Sequence, residues 1–118
     1  MENARQFLRA SADLPMIATD KAEFTSGQVI DITIRGCGLR LTKPLRRGQH
    51  VTLMISPNNG IDDVQCDLAQ VQWVTEERAG LNFLRMSPEN EHRLYQLWDD
   101  QLASELWGTR RGPHPLCL

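Results

Sequence analysis

Apolar and polar residues alternate along the stretch from Val29 to Leu41, which has the clearest strand pattern of the chain. Apolar residues at every second position are typical of a strand with one buried face, and here they are Ile30, Ile32 and Ile34. The positions between them are expected to face outward together, and they are Asp31, Thr33 and Arg35. Gly36 and Gly38 break the alternation, since glycine permits a sharp turn and the close approach of another group. A second strand is predicted to follow at once.

Four further segments carry strand signals. They are bounded by turn-forming residues and comprise residues 14–19, 50–56, 64–74 and 80–83. In the third segment the apolar residues change parity, from even positions up to Leu68 to odd positions from Val71 onward. A β-bulge near Ala69 and Gln70 is predicted, because one extra residue inverts the facing of the residues that follow it.

The regular pattern ends with one predicted helix. Ser87 is a suitable N-cap, Pro88 suits the first helical position, and Gly108 is expected to end the helix. One face is predicted to be apolar, and its residues are Leu94, Leu97, Trp98, Leu102 and Leu106. Six short antiparallel strands and one C-terminal helix predict a mainly β fold, a small six-stranded antiparallel β-barrel with the helix covering an opening.

The two ends of the chain lack a regular pattern. Residues 1–12 are predicted to form a flexible N-terminal arm that carries Arg5 and Arg9. Residues 109–118 contain two prolines and two arginines and are predicted to be a loose tail. The barrel and its helix are therefore assigned to residues 13–108, and the 118 residues are expected to form one domain.

Composition narrows the classes of partner. The formal net charge of −2 argues against a broad nucleic-acid-binding surface, which needs a strongly basic protein. No apolar run approaches the roughly 20 residues of a membrane helix, and the N-terminus lacks the apolar centre of a signal peptide, so no membrane insertion is expected. The odd, widely spaced cysteines indicate reduced thiols, and they are Cys37, Cys66 and Cys117. We therefore expect a cytoplasmic protein.

No pattern typical of an enzyme or a metal site is found in the sequence. A Walker loop, a G-x-S-x-G elbow and an H-E-x-x-H helix are all absent. His50 and His92 have no neighbouring nucleophile or carboxylate in a catalytic arrangement. His114 and Cys117 lack the two further ligands of a structural metal site. The chain is expected to be a non-enzymatic protein without a metal or a cofactor.

Two short motifs carry the candidate binding chemistry. Arg5 and Arg9 form R-x-x-x-R, and Asp31, Thr33 and Gly36 form D-x-T-x-x-G. A guanidinium can donate two parallel hydrogen bonds to a phosphate or to the O6 and N7 atoms of guanine. An ionised carboxylate only accepts hydrogen bonds and suits the N1 and N2 donors of guanine. Either motif alone occurs by chance in many proteins, but together with the strand pattern they favour a site for a polar, planar ligand.

These two motifs are followed along the chain by VQWV around Trp73, by GLNF and by the terminal helix. Taken in this order, the segments resemble the PilZ domain over about residues 5–107. PilZ domains are bacterial receptors for cyclic dimeric GMP (cyclic di-GMP), built as a six-stranded barrel with an arginine arm that folds over the nucleotide. The resemblance implies that the arginines of the arm contact guanine and phosphate, that the second motif holds a guanine edge, and that Trp73 lies beside the base. The implied ligand-binding residues are Arg5, Arg9, Asp31, Thr33, Gly36 and Trp73.

Several positions leave alternatives open. Thr33 replaces the serine usual in the family, which keeps the hydroxyl but adds a methyl group. Ala4 stands where many members have another arginine, and Arg35 replaces a residue that is commonly small, so that it would either assist the phosphates or crowd the site. Trp73 is interpreted equally well as a core residue or as a ligand contact.

The leading functional hypothesis is a receptor of bacterial second-messenger signalling. Cyclic di-GMP would order the arm over the barrel and change the surface offered to a downstream protein of unknown identity. The alternative is a PilZ-like protein-interaction module that does not bind the nucleotide, which Ala4, Arg35 and the apolar end of the helix favour. An oligonucleotide-binding barrel would need more aromatic residues than three tryptophans, three phenylalanines and one tyrosine.

Overall fold

The structure, a computed structural model, describes residues 8–57 and 60–107. In this part of the chain, six strands and one helix follow one another in the predicted order. The strands are β1 (Ala10–Asp20), β2 (Glu23–Ile32), β3 (Gly36–Leu41), β4 (His50–Ile55), β5 (Val64–Val74) and β6 (Arg78–Arg85), and the helix is α1 (Pro88–Trp107). Arg5, Gly108 and the predicted tail at 109–118 lie outside the described residues.

The strands close into a barrel in the order β1-β2-β3-β6-β5-β4, and every neighbouring pair is antiparallel. The interior is filled by apolar side chains that alternate with outward ones along each strand; Leu39 and Leu53, for example, are both 0% exposed. Removing these side chains from water is the main source of stability. The predicted fold class, a six-stranded antiparallel barrel with a C-terminal helix, is confirmed.

Strand β1 begins at Ala10, four positions before Leu14, where the strand was predicted to start. Ala10 is 0% exposed and pairs with Ile32 of β2. The last residues of the segment predicted as an arm are therefore part of the first strand.

Strand β2 departs from simple alternation at Ile30. The register against β3 shifts by one residue between Val29 and Asp31, so Ile30 is an extra residue and forms a β-bulge. Val29 and Ile32 are consequently both 0% exposed, whereas Ile30 is only half-buried. The prediction of one buried isoleucine row is wrong at Ile30, and Ile34 lies beyond the end of β2, partly buried against the core.

Strand β5 has a bulge on either side of the predicted position. Against β6, Gln72 is an extra residue between Val71 and Trp73. Against β4, one extra residue falls between Cys66 and Ala69, whereas the sequence placed it near Ala69 and Gln70. Cys66 and Ala69 both face the core as a result. Trp73, near the end of the strand, is 47% exposed and is not a core residue.

Helix α1 packs against β1 and β5. Its N-terminus has the predicted cap, since the backbone N–H of Asn90 donates to Ser87 Oγ at 3.2 Å. The face toward the barrel is buried, and its residues are Leu94, Leu97, Trp98 and Leu102. Leu106, the last residue of the predicted apolar face, is 78% exposed and does not belong to the core. Among the described residues, no helix is long and apolar enough to cross a membrane.

Candidate functional site

The register of β1 and β2 brings residues of the two motifs together. Ser11 pairs with Asp31, so Arg9, two positions earlier, reaches the same place. Arg9 Nη1 donates a hydrogen bond to Asp31 Oδ1 at 2.6 Å, across 22 positions of sequence. The same Oδ1 accepts a hydrogen bond from the N–H of Gly38 at 3.1 Å. The Arg9 side chain is 63% exposed and that of Asp31 is 30% exposed, so the ion pair lies at the surface.

Helix α1 holds the chain on both sides of Arg9. The indole N–H of Trp98 donates to the carbonyl oxygen of Leu8 at 2.8 Å, and the N–H of Ser11 donates to Glu105 Oε1 at 2.9 Å. The position of the Arg9 backbone thus depends on the helix, although the helix lies about 90 positions away in sequence.

The Thr33 side chain shapes the turn between β2 and β3. Its Oγ1 accepts hydrogen bonds from the N–H groups of Arg35 at 3.0 Å and of Gly36 at 3.1 Å. The backbone N–H of Thr33 donates to the carbonyl oxygen of Gly36 at 2.9 Å, which closes the turn. Thr33 is only 8% exposed, so the prediction that it faces outward with Asp31 is wrong. The hydroxyl is used within the turn, because the chain leaves the strand geometry after Ile32.

A pocket of about 410 Å³ lies beside this turn. Four of the six predicted site residues line it, namely Arg9, Thr33, Gly36 and Trp73. Asp31 is not among the lining residues and reaches the site through its ion pair with Arg9. A second depression, of about 370 Å³, is lined by residues that include Phe24 and Lys43 and contains none of the predicted site residues. The pocket beside Trp73 is therefore the candidate site.

Trp73 forms an apolar wall of the pocket. Its indole lies against the backbone of Gly80, the paired residue on β6. With 47% of its surface exposed, one part of the ring remains open to stack against a flat ligand. The structure therefore places Trp73 at the pocket rather than in the core.

Three further polar side chains line the pocket: Arg35, Gln72 and Asn82. The sequence singled out Arg35 only as a departure from the family pattern, and it missed the two carboxamides. Asn82 pairs with Gly36 across β3 and β6, a register that sequence does not reveal. The alternation of β6 could have indicated Asn82, because Asn82 follows Gly80 by two positions and so lies on the same face of the strand.

Cys37 lines the pocket but is not a reactive group. It is 3% exposed, and burial in the first place and the neighbouring Asp31 carboxylate in the second raise the pKa of its thiol far above the ordinary value. The thiol is therefore protonated at neutral pH, whereas the thiolate is the nucleophilic form. Residues 8–57 and 60–107 contain no cluster of His, Cys, Asp or Glu that could hold a metal ion, and His114 and Cys117 lie outside them.

Solved structures with a similar fold include PilZ proteins. The PilZ domain with c-di-GMP of YcgR from Escherichia coli has a TM-score of 0.71 and 16% identity, over 87% of this chain and 96% of that chain. YcgR from Escherichia coli in complex with c-di-GMP has a TM-score of 0.68 and 22% identity, over 86% of this chain and 46% of that chain. MotI/DgrA, the inhibitor of motility of Bacillus subtilis, has a TM-score of 0.68 and 17% identity, over 94% of this chain and 55% of that chain. The chain thus spans about half the length of these two longer proteins, and at such identities the likeness shows a shared fold.

A comparison with curated protein sequences finds no match. The profile of the PilZ domain, in contrast, matches residues 3–99. This span includes both motifs, all six strands described above and the first part of α1. The chain belongs to the PilZ domain family.

Proposed function

We propose that this domain is a cyclic di-GMP receptor of bacterial second-messenger signalling, and a binding protein rather than an enzyme. The observation that carries the proposal is the pocket where Arg9 of the first motif meets Thr33 and Gly36 of the second, with Trp73 as a wall. Two PilZ structures of similar fold contain c-di-GMP, which supports the same ligand here. The alternative, an interaction module that does not bind the nucleotide, is not favoured.

The exposed ends of the site supply complementary chemistry for a guanine nucleotide. The Arg9 guanidinium is open on one side and can donate to a phosphate or to the O6 and N7 atoms of guanine. The Asp31 carboxylate has a second oxygen with which to accept from the N1 and N2 donors. The Trp73 indole can stack on the base.

Thr33 and Gly36 are proposed to shape the turn beside the ligand rather than to hydrogen-bond to the base. Because Thr33 Oγ1 already contacts two backbone N–H groups, we assign it to shaping the turn that the ligand approaches. Gly36 belongs to the same turn, where its N–H is one of those groups. The added methyl group of threonine is compatible with this role, since it is buried with the rest of the side chain.

The remaining parts of the proposal concern the arm and its partners. Arg5, which lies outside the described residues, is proposed to join Arg9 in contacting the nucleotide, and cyclic di-GMP is proposed to order the arm over the barrel. The reordered surface would then be offered to a downstream protein. A cytoplasmic location is in keeping with the free thiols of Cys37 and Cys66.

Calorimetric titration with three nucleotides tests the proposal. Cyclic di-GMP is expected to bind, whereas cyclic di-AMP, which lacks the N1 and N2 donors of guanine, and GTP, which lacks the cyclic backbone, are expected to bind much more weakly. Asp31→Ala should weaken cyclic di-GMP binding, while Asp63→Ala, which removes an exposed carboxylate outside the pocket, should leave it unchanged. No binding of cyclic di-GMP well above micromolar concentration would overturn the proposal.

A further inference from the structure

One row of paired residues crosses four strands between two of the proposed ligand contacts. Asp31 of β2 pairs with Gly38 of β3, Gly38 pairs with Gly80 of β6, and Gly80 pairs with Trp73 of β5. The next row faces the core, and its members are Ile32, Cys37, Leu81 and Val71. Side chains alternate across a strand, so Asp31, Gly38 and Gly80 face outward. Trp73 faces outward with them because the register against β6 shifts between Val71 and Trp73, so that Gln72 is an extra residue and reverses the facing of the residue that follows it. The first row has a carboxylate at one end, an indole at the other and two glycines between them.

Each glycine is covered by the side chain at its own end of the row. A Cβ atom at Gly38 would lie 3.0 Å from both carboxylate oxygens of Asp31, of which Oδ1 accepts the Gly38 N–H. A Cβ atom at Gly80 would overlap the indole of Trp73 at Nε1 and Cε2. The indole can lie against the backbone of β6 because glycine leaves room for it.

Gly36, the glycine of the second motif, is required for a different reason. A Cβ atom there would overlap the carbonyl oxygen of Leu81, which is a backbone atom. A substitution at Gly36 therefore disturbs the pairing of β3 with β6. At Gly80 the obstacle is a side chain, which a second substitution can remove.

We propose that Gly38 and Gly80 are positioning residues of the ligand site, an inference that rests on the proposed function. Because they have no side chains, the Asp31 carboxylate can pack against the backbone at Gly38, and the Trp73 indole can pack against the backbone at Gly80. Strands about 4.8 Å apart place the two end residues roughly 14 Å from each other along the sheet. Gly80 has the larger effect, because a Cβ atom there overlaps the ring, whereas at Gly38 the carboxylate has to move by only a few tenths of an ångström.

The first test needs no nucleotide. In proton–nitrogen NMR correlation spectra, the indole N–H signal of Trp73 is assigned by its loss in Trp73→Phe. Gly80→Ala is expected to shift this signal and to leave that of the buried Trp98 in place. If Gly80→Ala folds and the Trp73 signal does not move, the positioning role is refuted.

The second test is a double-mutant cycle of cyclic di-GMP affinity. Gly80→Ala is expected to weaken binding about tenfold in the otherwise unaltered protein, as the loss of one base stack does. In a Trp73→Ala background, where the added methyl group has room, it should cause no further loss. Equal losses in both backgrounds would overturn the proposal, because Gly80 would then not act through Trp73.

The two tests separate this proposal from the proposed function. If the unaltered protein does not bind cyclic di-GMP, the proposed function fails, while the NMR result still decides whether Gly80 positions Trp73. Should Gly80→Ala alone fail to fold, the Trp73→Ala/Gly80→Ala variant is expected to fold, since the overlapping ring is gone. A double variant that also fails to fold would contradict the overlap argument.

Discussion

Replacing Arg9 by alanine separates two roles that this guanidinium can have. In the described structure it is an ion-pair partner of Asp31, at 2.6 Å. In the proposed complex it is also a donor to the nucleotide. Arg9→Ala removes both interactions, and they act on affinity with opposite signs: loss of the ion pair frees Asp31 for the ligand, whereas loss of the donor weakens binding.

The exposure of the pair decides which effect is larger. With side chains 63% and 30% exposed, the ion pair is a surface interaction worth about 0.2–1 kcal/mol. A charge-assisted contact to the ligand is worth about 1.5–3 kcal/mol. The net loss is therefore expected to be about 0.5–3 kcal/mol, or roughly twofold to a hundredfold in the dissociation constant. The free energy of unfolding should fall by less than about 1 kcal/mol.

Calorimetry and thermal unfolding measure the two quantities. Arg47→Ala is the matched control, because it removes an exposed arginine that does not line the pocket and changes the net charge equally. Arg9→Lys is expected to bind with intermediate affinity, since lysine keeps the charge but not the bidentate geometry. If Arg9→Ala binds as tightly as the unaltered protein, Arg9 serves only to hold Asp31. A large drop in melting temperature would instead make Arg9 a structural residue.

Three further predictions each concern one residue. Thr33→Val removes the hydroxyl that accepts hydrogen bonds from two backbone N–H groups, so the free energy of unfolding, measured by urea titration, should fall by about 1–3 kcal/mol. Thr33→Ser keeps the hydroxyl and should have nearly the same free energy of unfolding as the unaltered protein. Trp98→Phe removes the N–H that donates to the Leu8 carbonyl oxygen, so hydrogen exchange should speed up more at the Arg9 and Ala10 amides than at the amides of β3. An equal increase in both regions would contradict the idea that Trp98 anchors the chain before β1. Burial raises the pKa of Cys37 in the folded state, so above about pH 8.5 the unfolded chain loses a proton that the folded chain retains. Cys37 should therefore make the free energy of unfolding fall with rising pH by up to about 1.4 kcal/mol per unit, and the fall should be less steep in Cys37→Ala. Parallel pH profiles of the two proteins would refute this.

The fold could be predicted from sequence because its signals are local. Alternation marks the strands, Ser87 marks the helix start, and the two motifs mark the site. Bulges are less local: the one at Ile30 depends on how β2 pairs with β3, and its effect is that Val29 and Ile32 both face the core. A parity argument applied to β2 alone cannot find it, whereas in β5 the apolar residues themselves change parity and revealed a bulge within a few positions.

The role of Thr33 could not be predicted for a related reason. Its outward position was inferred by continuing the alternation of β2, but the strand ends at Ile32. Beyond that point the Thr33 hydroxyl accepts hydrogen bonds from the N–H groups of Arg35 and Gly36 within the turn. A buried polar group is favourable only when it is hydrogen-bonded, and this one is. The same hydroxyl in the middle of a strand would have faced solvent.

The start of β1 differs from the prediction in a way that matters for ligand binding, because the strand begins within the segment predicted as an arm. Residues near Arg9 have no strand pattern of their own, and the contacts that fix them come from the far end of the chain, from Trp98 and Glu105. Because the backbone is held at Leu8 on one side and in β1 on the other, a change of partner at Arg9 does not require the backbone to move. Rotation of a long, 63% exposed side chain is enough to exchange the Asp31 carboxylate for a phosphate or a guanine edge. The entropy lost when a ligand binds to Arg9 is then mainly that of one side chain, roughly 2 kcal/mol at most, which a charge-assisted contact can offset.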